Sequence, residues 1–152
     1  MRSEQDDAVR IYQTHLDEVG HAIEHGDFDG YAQHFALAHE FETVVGNVRI
    51  SNPVSLRLLF DTLCGQLELH NLPTLHRVCK EASFTGPTTI LGTHQTRLVR
   101  QDAIVAESFT ARCVLKLRGN QWRLSRMQVN DGAKALPAVV MSHVLSRQKR
   151  RG

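Results

Sequence analysis

The sequence predicts an α+β domain: a curved, mostly antiparallel sheet packed on three N-terminal helices, with a further helix at the C-terminus. Three observations carry this. Apolar residues recur at helical spacing in three segments before residue 70, four strand-length runs separated by short turn signals fill 74–130, and helical spacing returns from residue 136. Alternating βαβ units are absent, so a parallel doubly wound sheet is excluded.

The first helix is read over residues 4–25, where Val9, Tyr12, Leu16, Val19 and Ile23 step by three and four onto one stripe. Ser3 is its N-cap with Asp6 three positions on, and Gly26 stops it. Asp27 caps a shorter helix that repeats Phe28, Tyr31 and Phe35 on one side. The pattern then switches to alternation, with Phe41, Thr43 and Val45 on one face, and Gly46-Asn47 turns the chain into Val48–Ile50. Ser51-Asn52-Pro53 starts the third helix, because a capping side chain holds free amides and proline at the first helical position gives up no bond. Leu56, Leu59, Phe60, Leu63 and Leu67 form its inner face. Strands follow at 74–85, 88–100, 103–118 and 121–130, divided by Gly86-Pro87, Gln101-Asp102 and Gly119-Asn120, which gives an antiparallel meander. The last segment, with Pro137 near its start and Val140, Met141, Val144 and Leu145 at helical spacing, reads as a helix ending in a basic tail.

At 152 residues the chain has room for one ordinary core. Its formal charge is +2, yet Arg147, Lys149, Arg150 and Arg151 supply four of the 18 basic residues, so the body before them carries −2. A basic nucleic-acid-binding surface is therefore not expected. Cys64, Cys79 and Cys113 are odd in number and follow no metal or disulfide pattern, which suits free thiols in a reducing, cytoplasmic setting. No apolar run approaches a membrane span, so no membrane association is expected.

The phrases GDFDGYAQHFA at 26–36, VVGNVRISNPVSLRLLF at 44–60 and NQWRLSRMQV at 120–129, in this element order, resemble the nuclear transport factor 2-like superfamily in its SnoaL-like branch. The resemblance covers about residues 5–131, which sets the domain at 1–131 and leaves 132–152 as a helical extension. It implies a cone-shaped pocket between sheet and helices, and dimerisation through the outer sheet face. It leaves the chemistry open, since such domains include isomerase-like and cyclase-like enzymes, dehydratases, ligand binders and protein-binding modules.

Candidate site residues come from polar groups in the apolar phase of a strand. Glu107 shares its phase with Val105, Phe109, Ala111, Cys113, Leu115 and Leu117, and His94 with Ile90, Gly92 and Leu98. A histidine and a carboxylate on one concave face would form a general acid/base pair. Tyr12 could donate to a ligand oxygen, as a tyrosine does in the isomerase-like relatives that the resemblance implies. Asp131 stands near where cyclase-like relatives keep an acidic residue. Tyr31, Phe41, Phe109 and Trp122 are expected to line or fill the pocket. No Asp stands at 38–45, around His39, Glu40 and Glu42, which counts against unchanged steroid-isomerase chemistry.

His21 and His25 lie four apart on the first helix, but both flank its end outside any HExxH context, so no metal is expected there. Phosphate loops and a nucleophile elbow are missing from the sequence, and no cofactor is expected. The leading expectation is a domain binding a hydrophobic small molecule and, as an enzyme, a cofactor-independent lyase, isomerase or cyclase acting by proton transfer on a hydrophobic carbonyl compound, with Glu107 or Asp131 as proton acceptor, His94 as shuttle or orienting group and Tyr12 on the enolate oxygen. The alternative is a noncatalytic dimeric module for protein interaction or ligand sensing.

Overall fold

A computed structural model describes residues 3–151. Helix α1 (Glu4–Glu24) opens with the expected capping box: the Ser3 hydroxyl accepts from the Asp6 amide and the Asp6 carboxylate accepts from the Ser3 amide. Asp27 caps α2 (Phe28–Ala32), and Asn52 caps α3 (Pro53–Leu69) by accepting from the Ser55 amide at 2.9 Å. The strands are β1 (Phe35–Thr43), β2 (Gly46–Ile50), β3 (Thr74–Gly86), β4 (Thr89–Arg100), a short β5 (Ala103–Ile104), β6 (Phe109–Arg118) and β7 (Gln121–Val129). Helix α4 (Leu136–Arg151) closes the chain. Its basic end falls partly outside the described side chains, those of Lys149, Arg150 and Arg151 among them.

The sheet order is β2-β1-β7-β6-β4-β3, with β5 pairing β4. The meander β3-β4-β6-β7 is antiparallel throughout, as the turn signals predict, whereas β1 joins β7 in parallel. Two departures from simple alternation matter for the site. A bulge between Cys79 and Glu81 moves the inward phase of β3 from Leu75, Arg77 and Cys79 to Ala82 and Phe84. The strand expected over 103–118 is interrupted between Ile104 and Phe109, so side-chain phase does not carry across the gap.

Helix α1 covers the concave face at the β3 edge. Tyr12, Leu16, Val19 and Ile23 are buried, as their spacing predicts. The unpaired edge of β3 is completed by one side chain: Gln13 Nε2 donates to the Arg77 carbonyl at 2.9 Å and Gln13 Oε1 accepts from the Cys79 amide at 2.8 Å. This amide stands in for a neighbouring strand and fixes the height of α1 over β3. Helix α4 packs on α3, β2 and β1, and Leu136, Val140, Met141 and Val144 join the same buried cluster as Ile50 and Leu56. The residues after 131 thus complete the core formed by those before it.

Candidate functional site

Between α1, α3, α4 and the concave sheet lies a cavity of about 100 Å³. Most of its wall is apolar, from Val19, Ile23, Leu59, Leu75, Phe109 and Leu115, and Leu136, Pro137 and Val140 of α4 close one side. Its polar groups gather where α1 crosses β3 and β4. Tyr12 Oη lies 2.6 Å from His94 Nδ1, and the Arg77 guanidinium lies 3.4 Å from His94 Nε2. Arg77 and Thr96 are cross-strand partners, and Thr96 is two residues from His94 on the same inward phase. Cys113 and Tyr12 are also close enough to share a hydrogen bond.

Arg77 fixes the state of His94. A guanidinium has donors only, so the nitrogen facing it is best left as a lone pair. His94 is then the Nδ1–H tautomer and donates to Tyr12 Oη, which leaves the phenol hydrogen free for Cys113 or a bound molecule. Burial, with the charge of Arg77 and the proximity of His15, pushes the His94 imidazole down to about 2, so it is neutral at ordinary pH. Burial also raises the Tyr12 phenol far above its usual range and the Cys113 thiol to about 11. Both keep their protons. The cavity therefore presents hydrogen-bond donors and one fixed cation to whatever enters it.

Gly92 makes this arrangement sterically feasible. A Cβ there would sit 2.5 Å from Tyr12 Cε2 and 3.1 Å from the Glu81 carbonyl oxygen. The substitution Gly92→Ala is expected to push the Tyr12 ring off His94 and to destabilise the protein by about 1–3 kcal/mol. Urea denaturation checks the second effect, and an unchanged midpoint would show that Tyr12 yields without cost.

The structure brings some of the expected site residues together and separates others. Tyr12, Tyr31, Phe41, Phe109 and His94 all line the cavity. Tyr31 stacks on Phe35 and Phe60, with ring centroids 4.4 and 4.8 Å away. Trp122 sits beyond the cavity, 6.1 Å from Phe84 between ring centroids. Glu107 is exposed in the connection between β5 and β6, beside Gly132. The pairing of His94 with Glu107 on one strand face is therefore corrected, since the break after Ile104 cancels the alternation that suggested it. Asp131 is engaged locally: its carboxylate accepts from the Thr110 amide at the start of β6. Among the residues lining the cavity there is no Asp or Glu.

Arg77, Thr96 and His15 line the cavity without being among the residues that the sequence singles out. Arg77 was open to the same test that found His94, because it lies between Leu75 and Cys79 in an inward phase. His15 lies beside the apolar stripe of α1, and its Nε2 meets the His34 carbonyl at 2.9 Å. His39 Nδ1 meets the Ala36 carbonyl at 3.1 Å. His21 and His25 stack on each other 4.1 Å apart at the helix end, where His25 Nδ1 contacts the His21 carbonyl. Among the described residues no group of three or more His, Cys, Asp or Glu is placed to hold a metal ion, and no helix is long and apolar enough to cross a membrane.

The fold is that of the nuclear transport factor 2-like, cystatin-like proteins. A Mycobacterium tuberculosis protein of unknown function superposes with a TM-score of 0.63 at 17% identity, covering 93% of this chain and 89% of that one. A nuclear transport factor 2-like protein with a cystatin-like fold from Novosphingobium aromaticivorans gives 0.61 at 13% identity, covering 88% of each chain. LinA gives 0.61 at 11% identity, covering 79% of this chain and 82% of its own. No family model matches the sequence, and no curated protein matches it. Identities this low define the fold, and the chemistry has to be argued from the cavity itself.

Proposed function

We infer that the chain binds a small, largely apolar molecule carrying at least one electronegative oxygen, in the cavity between α1, α4 and the concave sheet. The observation that carries this reading is the cluster of Tyr12, His94 and Arg77 at one end of an otherwise apolar enclosure. Polar groups that converge in an apolar pocket orient a ligand, and a donor-rich set selects an acceptor. The same donors would stabilise negative charge on a carbonyl oxygen, so a cofactor-independent isomerase or lyase belongs to this reading.

Binding without chemistry is favoured by a specific feature. Proton abstraction from carbon needs a base whose conjugate acid is tolerated, and the available bases are neutral histidines that resist protonation: His94, His15 at about 3 and His39 at about 4. Asp131 and Glu107, the expected carboxylates, do not line the cavity. The homodimer expected through the outer sheet face belongs to the same reading. It rests on Leu91 and Val114, partners across β4 and β6 on the outward phase.

A thermal-shift screen with aromatic and polyketide-like carbonyl compounds tests the reading. Stabilisation by several library members is expected, and Tyr12→Phe should weaken it by roughly 1 kcal/mol in binding, about fivefold, by removing one donor. Silence across the library, with the protein folded, would overturn it.

A further inference from the structure

We propose that the ligand of this cavity is a small hydrophobic carboxylic acid, bound as its carboxylate by Arg77 and Thr96. The inference rests on the pocket reading above and narrows it to one chemical class. Among the described residues no carboxylate lies within ion-pair distance of Arg77, and Asp17 acts on its charge only from beyond that distance. Its guanidinium contacts are the Leu16 carbonyl at 3.5 Å and His94 Nε2 at 3.4 Å, both long for a charged donor. A guanidinium carries five N–H groups in a planar fork, so most of its capacity is unused. A cation in an apolar enclosure is costly unless it is neutralised, and burial accordingly works against its protonated form.

Thr96 supplies a second, independent sign. Its residue is 1% exposed, it lines the cavity, and its hydroxyl is the buried side-chain atom without a hydrogen-bond partner among the described residues. Such an atom costs free energy until something supplies the missing bond. Arg77 and Thr96 are opposite each other across β3 and β4, so one planar acceptor could meet both. A carboxylate matches the fork in two bonds and still has lone pairs left for a hydroxyl. Tyr12 adds a third donor if its hydrogen turns from Cys113.

The enclosure limits the body of the ligand. At roughly 10–15 Å³ per water-sized position, about 100 Å³ accommodates some seven to ten heavy atoms. Phe109, Leu75, Leu59, Ile23 and Val140 would surround that body with hydrocarbon. Benzoate and cyclohexanecarboxylate fit this description. Their amides have the same shape and no charge, while acetate has the charge and almost no body.

The experiment is calorimetric titration of the full chain at neutral pH with these two acids, their amides and acetate, with ligand-observed NMR for weak binding. Both acids are expected to bind at least about tenfold more tightly than their amides, because a charge-assisted pair is stronger than a neutral one. Acetate should be weaker than either acid by about tenfold or more for want of buried apolar surface. Arg77→Met should abolish the preference for acid over amide and leave amide binding in place, Arg77→Lys should restore part of it, and Thr96→Val should weaken the acids by severalfold with little effect on the amides. Thr96→Val removes the unpaired hydroxyl at nearly constant volume, so it keeps the test informative should Arg77→Met fail to fold. Amides binding as well as acids would overturn the carboxylate assignment while leaving the pocket reading intact. Acetate binding as well as benzoate would overturn it by removing any role for the apolar wall. If none of the five compounds binds at about 5 mM, where dissociation constants up to several millimolar are still detected, the carboxylate assignment fails. The pocket reading then fails too if the carbonyl screen is also silent.

Discussion

A chain shortened to end at Asn130 is expected to lose cooperative folding. The segment removed contains Leu136, Val140, Met141 and Val144, all at or below 6% exposure and all in the central cluster. At about 1.5–3 kcal/mol for each large apolar side chain buried, their contribution is about 6–12 kcal/mol before the entropy of ordering the helix is subtracted. That is comparable to the whole stability of an ordinary domain, about 5–15 kcal/mol. The shortened chain would also leave the inner faces of α3 and β2, Leu56 and Ile50 among them, open to water, and would remove Leu136, Pro137 and Val140 from the cavity wall. Near-ultraviolet circular dichroism and a thermal scan check this: weak near-ultraviolet signal and no sharp transition are expected. A native-like cooperative melt would show α4 to be an appendage. Met141→Ala probes the same contact with one side chain, and about 2–5 kcal/mol of destabilisation is expected from the cavity it leaves.

The role of α4 was only partly legible from its residues. Its apolar spacing predicted a helix, but a resemblance ending near residue 131 offered no reason to place that helix in the core. Element order and boundaries were legible because caps, turns and periodicity are local: Ser3 with Asp6, Asn52 before Pro53 and the stripe from Tyr12 to Ile23 each encode their own geometry. Pairing of β1 with β7 was not, since Phe41 and Met127 meet across more than eighty residues of intervening chain. Site residues divide along the same line. His94 was legible because β4 alternates without interruption from Ile90 to Leu98. Glu107 was misplaced by extending alternation through a break that turn chemistry did not announce. The pairing of Tyr12 with His94 depends on the bare backbone of Gly92 and on Gln13 holding α1 against β3, neither of which a periodicity test detects.

Acid sensitivity should be the other large effect, and its sign follows from where the histidines sit. His94, His15 and His39 are 0%, 6% and 2% exposed, and burial lowers them to about 2, 3 and 4 from an ordinary value near 6.5. The groups around them oppose that shift only in part, through the backbone carbonyls of His34 on His15 and of Ala36 on His39. His94 faces Arg77 and His15, His15 faces His34 and Arg77, and only His39 has a carboxylate nearby, that of Glu40. In the unfolded chain all three would take up protons as the pH falls through about 6.5, while in the fold they remain neutral until their lowered values are reached. Between these limits the unfolded state binds more protons, so stability is full above about pH 6.5 and is lost as the pH falls. Each histidine contributes a slope of about 1.4 kcal/mol per pH unit, and the three together about 4 kcal/mol per unit between about pH 6 and 4. His34 works in the same direction, its desolvation partly opposed by Glu18, which lies 3.4 Å from Nε2. Against an ordinary domain stability this places acid unfolding at about pH 4–5, above the range where carboxylate titration alone would act. Urea denaturation at pH 8, 7, 6 and 5 measures the slope directly. Equal stability at pH 8 and pH 5 would mean that the imidazoles are reached by water or protonated within the fold, and the neutral, donor-rich cavity argued from His94 would not survive that result. His39→Gln, which removes one of the three titrating histidines at a position outside the Tyr12–His94–Arg77 cluster, should lower the slope by about a third.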